Sequence, residues 1–547
     1  MPSCEISNKY FEISEQEKAL RKKLNASEPT CLPKYTLQKL SAFWPHFGIH
    51  NRKCDATNEN IIAIYDENCP YPVWKRSYWV ENASPPSSEY DFSKPFFDQL
   101  WELFQKSPIP HNIGLENLNC DYTDDWWHSK NCYLSHSGFQ CEDLRYSYRN
   151  VRIKDSMSCV FSFDSELCFE IIYCMNLYKV VYAINSRNSE NSFFLFDCRN
   201  CSDCMFCYNL RNKKYCINNV QYSKEEYLIE KEKLQLSSRK VYDQMKKDFQ
   251  NTIKTKAWWK AQDIEQCINC NGNFLENCKD SENCYLASEF ENCINCVRGI
   301  QVKDSLDCVS VCFHSEKVYL SSTPQERCYE VRCCFNIVNC KFMEYCSNCL
   351  NCENCFGCSG LVSKKYYILN KQYSKEEYYI LLEKIKNHLK NEGVYNKFFP
   401  GYFAPNPYDE SHASTFMPLT REEQEKRGFR VKIQTETKND NYISSNDIYD
   451  DSLDADESIC EKIFWDDKSQ HRFKITKEDL KFCQKHKIPL PNTFYIRTIK
   501  ENMPWMFFDV SLRKTTCAKT GKQTKTTLPS FLDGRILSEE TYLGTVY

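Results

Sequence analysis

The sequence has little glycine, almost no net charge and no long apolar run. Only 13 of its 547 residues are glycine, so left-handed turns must be built from other residues, of which asparagine tolerates them well. Lysine and arginine total 71 against 74 acidic residues, a formal charge of −3, which excludes a strong overall field for an anionic polymer. The most apolar stretch, 168–185, contains charged residues and falls short of a transmembrane helix.

The chain also lacks the signatures of common enzyme classes. No P-loop, dinucleotide-binding glycine fingerprint, His-Glu-x-x-His helix or nucleophile elbow occurs, so no catalytic or cofactor-binding residue is assigned and a non-catalytic role is favoured. The charged amino terminus has no apolar stretch typical of a secretory signal. With 35 cysteines, an odd number, thiols or metal ligands are expected instead of disulfides. We expect a soluble cytoplasmic protein, or a virion protein if the source is viral, without membrane contact.

The middle of the sequence is a tandem duplication. Four cysteines from Cys198 to Cys207, three residues apart, return from Cys349 to Cys358 at an offset of 151 residues. Each set is followed by the motif Gln-Tyr-Ser-Lys-Glu-Glu-Tyr. A repeat of this length indicates two homologous lobes.

Within each lobe the cysteines follow a three-residue spacing. All eleven cysteines from Cys120 to Cys216 stand at positions divisible by three, and those of the second lobe keep this spacing in shifted phases, as small loop insertions would produce. A helix has a period of 3.6 residues and a flat strand a period of 2, so the spacing favours stacked coils with short sides. Twelve cysteines of the lobes directly follow an asparagine, which suits a left-handed corner.

We therefore predict a mainly β protein with two tandem parallel β-solenoid lobes. Cysteine is small and commonly buried, so its side chains should form ladders that point inward. Zinc or iron–sulfur sites are the alternative reading of Cys-x2-Cys runs, which the burial preference of free cysteine disfavours. The ladder residues are Cys198, Cys201, Cys204, Cys207, Cys334, Cys340, Cys346, Cys349, Cys352, Cys355 and Cys358.

Each lobe should be closed by a capping helix. Ser223 with Glu226, and Ser374 with Glu377, have the serine-to-glutamate spacing of a capping box. The second of these helices should end at Gly393, a typical C-terminal stop. Such helices would cover the open edge of a solenoid, which otherwise recruits further strands.

The two ends of the chain resemble each other. A Phe-x-Ile sequence with a serine or threonine cap follows both Cys4 and Cys460, and the segment around Cys54 parallels that around Cys517. A module of about 80 residues thus flanks the lobes on both sides.

Nearly the full length of the chain resembles a family of uncharacterised proteins from candidate-phyla bacteria and giant viruses. The resemblance lies in DFSKPFFDQLWELFQKSPIP after Tyr90, in the YSKEEY repeats and in PLTREEQEKRGFR from Pro418. It implies zinc-ribbon-like α+β modules around two Cys-Asn-rich repeats. Some members carry an automated CoA-transferase label, which nothing in this sequence supports.

The resemblance also implies paired Cys-x2-Cys knuckles in the end modules, and here these are incomplete. Cys4 is followed three residues later by Ser7 and Cys31 by Lys34; later knuckle positions hold Lys75, Tyr78, Ser538 and Thr541. A structural zinc site needs about four ligands. One zinc ion could be bound only if cysteines from different knuckles contributed ligands to the same site; the candidates are Cys4, Cys31, Cys54 and Cys69. The favoured alternative is that these modules no longer bind metal.

A few polar residues outside the repeat could carry a function. Asp124 and Asp125 precede two tryptophans, which could bind sugar but are more typical of an exposed turn packed by aromatic rings. His136 and His314 are isolated in the sequence. Such histidines are more often hydrogen-bonded core or surface residues than catalytic bases. A basic face that could contact nucleic-acid phosphates, or simply be solvated, consists of Lys18, Arg21, Lys22, Lys23, Arg52 and Lys53.

We expect six segments and a binding role. The segments are a degenerate zinc-ribbon-like module (1–85), a helical connection (86–114), two lobes with capping helices (115–250 and 251–400), a connection with an acidic linker (401–459) and a second degenerate module (460–547). The expected function is a non-catalytic scaffold that binds protein, another copy of itself or nucleic acid through its end modules. The alternatives are a virion or assembly protein and a metal- or thiol-dependent redox or storage protein.

Overall fold

The computed structural model describes residues 1–297, 302–311, 314–433, 436–506 and 509–547. Strands make up 32% and helices 27% of the structure, so the protein is mixed instead of mainly β. Most helices lie outside the strand-rich parts of the two lobes, in segments that lack the three-residue spacing of cysteines. Among the described residues, many strands pair in parallel in large sheets, and no sheet closes into a barrel.

The chain forms two compact units that are discontinuous in sequence. One unit contains Met1–Ile113, Gln262–Lys432 and Phe508–Arg513, and therefore combines the N-terminal segment with the second lobe. The other contains Gly114–Ala261, Ile433–Phe507 and Lys514–Tyr547, and combines the first lobe with most of the C-terminal segment. We call these the second-lobe unit and the first-lobe unit.

The first lobe consists of two sheets that are parallel except at the last strand pair, and residues paired in parallel are twelve positions apart. Thr123 pairs with Ser135, and Met175 pairs with Arg187. The four-stranded sheet contains Gly114–Leu115, Thr123–Trp127, Ser135–Phe139 and Tyr148–Val151. The eight-stranded sheet contains Glu142–Arg145, Lys154–Met157, Phe169–Ile172, Met175–Ile184, Arg187–Phe196, Ser202–Tyr208, Lys214–Ile217 and Val220–Gln221.

The second lobe repeats this arrangement with small changes of register. Its three-stranded sheet contains Ile264–Glu265, Gly272–Glu276 and Cys284–Ser288. Its eleven-stranded sheet contains Phe290–Glu291, Val302–Lys303, Leu306–Val309, Glu316–Gln325, Tyr329–Arg332, Phe335–Val338, Lys341–Glu344, Ser347–Leu350, Glu353–Phe356, Lys365–Ile368 and Lys371–Gln372. Ile264 pairs with Leu275 and Leu306 with Tyr319, steps of eleven and thirteen residues, which account for the shifted cysteine phases.

The three-residue spacing comes from a left-handed residue at every third position. In the first lobe φ is positive at Asn131, Leu134, Ser137, Gln140 and Asp143 in succession. Such residues cost free energy unless other contacts hold them. Here their amides bond to the strand thirteen residues earlier: the N–H of Asn131 donates to the carbonyl of Leu118 at 2.8 Å, and that of Gln140 to Trp127 at 2.9 Å. The left-handed position at every third residue is therefore not restricted to asparagine.

Most of the residues that directly follow a left-handed residue in the lobes are buried. The cysteines of both lobes, with apolar residues such as Ile171 and Ile337, form two continuous buried clusters. Both lobes end alike, with a short antiparallel strand that pairs Cys216 with Gln221 and Tyr367 with Gln372. A helix follows in each lobe, Lys224–Glu232 and Lys375–Glu392.

The remaining elements belong mainly to the flanking segments. Short strands are His50–Lys53 with Asn60–Ala63, Val73–Trp74 with Ile109–Pro110, Trp259–Lys260 with Ile536–Leu537, Arg513–Thr516 with Gln523–Thr526, and Ile443–Ser444, Phe464–Asp466 and His471–Phe473 together. The other α-helices are Glu15–Lys23, Pro33–Ser41, Arg76–Asn82, Phe96–Phe104, Arg239–Lys256, His412–Phe416, Arg421–Lys426, Lys477–His486, Tyr495–Asn502 and Glu539–Val546. Short 3-10 helices are Gly401–Phe403, Tyr408–Glu410, Ser445–Asp447, Ser452–Asp454, Glu457–Glu461, Met503–Met506 and Ser530–Arg535.

Candidate functional site: the thiol turns of the end segments

Cys4, Cys54 and Cys517 begin three turns of the same construction. The amide of each cysteine donates to the carbonyl five residues later, on Lys9, Glu59 or Lys522, at 2.8 to 2.9 Å. The amide four residues later donates back to the cysteine carbonyl, at 2.8 to 2.9 Å. That fourth residue is left-handed in all three turns: Asn8, Asn58 and Gly521, with φ of 54°, 59° and 67°.

The thiol of each turn accepts hydrogen bonds from two directions. One set comes from within the turn and includes the backbone amide of Ser7, Thr57 or Thr520, three residues after the cysteine. The other comes from the backbone of the residue that precedes a helix: Leu32 for Cys4, Lys75 for Cys54 and Ser538 for Cys517. The Lys75 amide lies 3.2 Å from the Cys54 Sγ. Of these donors, Ser7, Lys75 and Ser538 stand at positions where the resemblance implied further cysteines.

These hydrogen bonds favour the thiolate. Burial alone would raise each pKa, but the donors outweigh it and lower the pKa of Cys4 to about 7 and that of Cys517 to about 5. The pKa of Cys54 is lowered for the same reason. A lowered thiol pKa is typical of positions that accept several donors.

The four candidate zinc ligands do not form one cluster. Cys4 and Cys31 are neighbours. Burial raises the pKa of Cys31, the Thr30 contact opposes this, and the proximity of Cys4 adds to it. Burial raises the pKa of Cys69 to about 12, beside Tyr71 and Arg430. Within the described residues, no group of three or more His, Cys, Asp or Glu side chains could hold a metal ion. Zinc binding stays a prediction.

The C-terminal segment follows the same pattern with fewer thiols. The hydroxyls of Ser538 and Thr541, at the positions where knuckle cysteines were expected, lie 2.9 Å from each other. Cys460 lies on the 3-10 helix Glu457–Glu461 and is partly exposed. The parallel between the two ends is therefore closest at the turns themselves.

The ladder cysteines are all buried, and their side chains make hydrogen bonds as well as packing contacts. The Sγ of Cys346 lies 3.2 Å from the carbonyl of Glu344 and accepts from the amide of Cys358 at 3.4 Å. Serine at the same inward position does the same: the Ser186 hydroxyl lies 3.2 Å from the Ile184 carbonyl and accepts from the amide of Cys198 at 3.2 Å. This linking role was not predicted from sequence.

The capping helices begin where the serine spacing predicts. Ser223 and Ser374 are N-caps, and each forms a reciprocal capping box with Glu226 or Glu377. The second helix ends at Gly393, with φ of 72°. Ser–Glu spacing is a local signal, which explains why these boundaries could be read from sequence.

The N-terminal basic face is largely neutralised within the second-lobe unit. Arg21 is 4% exposed and pairs with Glu17 at 2.6 Å and Asp307 at 3.0 Å. Lys23 pairs with Asp304 at 2.7 Å, and Arg52 is buried beside Asp55. The sequence could not show this, because Asp304 and Asp307 lie almost 300 residues further along the chain.

Asp124 and Asp125 lie in a buried strand of the first-lobe unit, not in an exposed turn. The Asp124 carboxylate is 2.9 Å from Nδ1 of His136, both fully buried, and His136 Nε2 is 2.8 Å from the Tyr495 hydroxyl. Burial raises the pKa of Asp124, an effect that His136 reduces. The cluster could not be predicted from sequence, because Tyr495 lies far from Asp124 and His136 along the chain.

Tyr495 lines an open cleft of about 510 Å³ in this unit, together with Arg239, Glu170 and Thr493. Tyr242 and Lys246 hold the Glu170 carboxylate at 3.0 and 2.5 Å. The cleft is open to solvent and lined by both polar and apolar side chains, but His136 and Asp124 are not part of its lining. The cluster therefore stabilises the wall of the cleft through Tyr495.

No family model matches the chain, and no curated protein matches it. None of the helices among the described residues has the length and apolar character needed to cross a bilayer.

Proposed function

We propose that this protein is a non-catalytic binding scaffold whose body consists of two β-solenoids and whose end modules bind a protein partner or a second copy of the chain. The solenoid assignment rests on the twelve-residue parallel register and the left-handed residue at every third position, which together describe coils with four sides of three residues. Stacked coils of this kind give a long, rigid surface.

The observation that carries the proposal is the repeated thiol turn. Cys4, Cys54 and Cys517 keep one backbone geometry in both end segments, although serine, threonine and backbone amides occupy the remaining ligand positions. The turns keep their backbone geometry although most of the expected metal ligands are replaced. We infer that their shape, and not metal binding, is what the function requires. Binding by shape survives such replacements, whereas metal-dependent chemistry does not.

The thiols of the lobes favour packing over redox chemistry. Although hydrogen bonds from neighbouring thiols lower the pKa of Cys201 and Cys352, burial raises the pKa of Cys141, Cys168, Cys174 and Cys328 to about 12. A thiol of this kind stays protonated at neutral pH and is a poor nucleophile and metal ligand. The redox or storage alternative is therefore the weaker one.

A protein partner is favoured over nucleic acid by the charges of the N-terminal segment. Arg21 and Lys23 are engaged with Asp307 and Asp304, so the field that would attract phosphates is reduced. Assembly into a particle remains the second candidate, since self-association would use the same modules.

The experiment is an affinity capture from the native cell that compares the wild type with a turn variant. Gly521→Val places a β-branched residue at a left-handed position of the third turn, where φ is 67°, whereas Gly544→Ala adds a methyl group at a position with no atom within 4 Å and serves as control. We expect the same partner with wild type and G544A, and its loss with G521V. Equal capture by all three chains would contradict binding through this turn.

A further inference from the structure

A second cleft lies in the second-lobe unit, between helix Arg76–Asn82 and three stacked strands of the lobe. It encloses about 360 Å³, including the part open to solvent. Its walls combine apolar groups, such as Trp79, Ile113 and Leu350, with Arg76 and a row of polar side chains. Arg76 is the one charged residue among these lining residues.

The Arg76 guanidinium is a cation without a carboxylate partner in the described part of the chain. Its one side-chain hydrogen bond goes to the carbonyl of Asn112, at a long 3.3 Å. Burial lowers the pKa of Arg76 to about 10, and the sole opposing influence is the phenol of Tyr65. The group therefore remains charged at neutral pH, and a partly buried charge without a counterion is costly.

The neighbouring histidine does not neutralise this charge. Nδ1 of His111 accepts the backbone amide of Arg76 at 2.9 Å, so this ring nitrogen carries no proton. Burial, followed by the charges of Arg76 and Lys75, lowers the pKa of His111 to about 4. A neutral imidazole contributes no counterion.

The opposite wall presents a row of side chains at left-handed corner positions. Thr323, Asn336 and Asn348 stand on the adjacent strands Glu316–Gln325, Phe335–Val338 and Ser347–Leu350, with φ of 52°, 51° and 47°. The Thr323 hydroxyl lies 2.5 Å from Oδ1 of Asn336. Asn336 is 7% exposed, and its Nδ2 donates to no group among the described residues.

We propose that this cleft binds the oxyanion group, a carboxylate or a phosphate, of a small molecule, with Arg76 as the charged donor and the Asn336 amide as the neutral donor. An oxyanion supplies the acceptor that both groups lack, and arginine binds such groups through paired N–H donors. The apolar side of the cleft, with Trp79 and Ile113, would accommodate the remainder of a small ligand. The inference does not depend on the scaffold role of the end modules.

The test is the thermal unfolding and calorimetric titration of the full chain with inorganic phosphate and, separately, with citrate. Sodium chloride at equal ionic strength is the salt control. We expect one of the two anions to raise the unfolding temperature of the wild type beyond the effect of chloride. Stabilisation by phosphate would indicate a phosphate ligand, and stabilisation by citrate a carboxylate ligand. Arg76→Met should weaken this binding about ten- to hundredfold, since it removes charge-assisted hydrogen bonds.

Two further variants separate binding from folding. Arg76→Met should unfold, without anion, at a temperature no lower than the wild type, because it removes an uncompensated charge. Arg421→Met, at a surface arginine 69% exposed in the same unit, should leave anion binding unchanged. The proposal is overturned if neither anion exceeds chloride, if R76M binds as tightly as the wild type, or if R421M loses binding to the same extent.

Discussion

The two lobes have similar parallel sheets and differ in the register of their strands. The first keeps one cysteine phase from Cys120 to Cys216, with strand steps of twelve residues. The second contains steps of eleven and thirteen residues, yet it also forms parallel sheets with a buried cysteine core. The step between paired strands therefore changes by one residue, whereas the left-handed residues and the small buried side chains that follow many of them occur in both lobes.

The lobes also differ in what fills the inward position. The first lobe alternates cysteine with serine, as where the Ser147 hydroxyl accepts the amide of Cys159 at 2.9 Å. The second lobe more often stacks cysteine on cysteine, as where Cys340 accepts the amide of Cys352 at 3.4 Å. Both side chains fit the space and accept a hydrogen bond from the next coil. The shared requirement is a small acceptor, and not a thiol as such.

The largest expected effect comes from placing a charge in either ladder. Cys204→Asp and Cys355→Asp alter equivalent positions that are fully buried in both lobes. An unpaired buried carboxylate costs several kcal/mol, so each variant should unfold its own unit. Limited proteolysis with mass spectrometry would show which unit becomes sensitive, and resistance of both variants would contradict inward packing.

The second effect separates the units by their response to acid. In the second-lobe unit Glu410 is buried, which alone would raise its pKa, but His50 and Lys432, each at 2.9 Å, lower it to about 2. Its stabilisation, roughly 3 kcal/mol, is fully present above the ordinary carboxyl pKa and is lost as the pH falls towards 2. The urea concentration at the unfolding midpoint should therefore decrease as the pH is lowered through this window. The decrease should be smaller in Glu410→Gln.

Asp124 in the first-lobe unit should act in the opposite direction. Burial raises its pKa, so its contribution to stability is present below the ordinary aspartate pKa and is lost as the pH rises through the raised value. Asp124→Asn should remove this term and leave the acid response of Glu410 intact. Identical pH profiles for the wild type, E410Q and D124N would refute both assignments.

Local patterns explain how far the fold could be predicted. The duplication, the spacing of three, the phase shifts and the caps at Ser223 and Ser374 all depend on residues close in sequence. The neutralisation of Arg21 by Asp307, the burial of Asp124 and the cleft at Arg76 depend on elements that meet only after folding. Composition and spacing contain no signal for such contacts, so these features of the candidate sites were missed.

An intermediate effect is expected when the inward acceptor is removed. Cys346→Ala leaves the amide of Cys358 without its acceptor, and Ser186→Ala does the same to Cys198. Each should cost about 1–3 kcal/mol. The exchanges Cys346→Ser and Ser186→Cys keep an acceptor and are the matched controls. Denaturant midpoints would decide, and equal losses for alanine and for the exchanges would argue against the acceptor role.

The smallest effect concerns the corners. Asn200 and Asn351 are equivalent residues of the two lobes, both with φ of 54°. Replacement by valine should cost about 1–2 kcal/mol because a β-branched residue resists the left-handed region, while glycine should be close to neutral. A lobe that tolerates valine as well as glycine would show that its corner is not left-handed.

Thiol titration tests the central claim, that the lobe cysteines form a protonated, packed core. The reagent is 4,4′-dithiodipyridine, applied to the native and the denatured chain while released metal is measured. We expect rapid native reaction only among the partly exposed thiols, which are Cys31, Cys69, Cys267, Cys270 and Cys460. The ladder thiols should react after denaturation, without metal release. Rapid native reaction of the ladder, or several metal ions released per chain, would contradict the account.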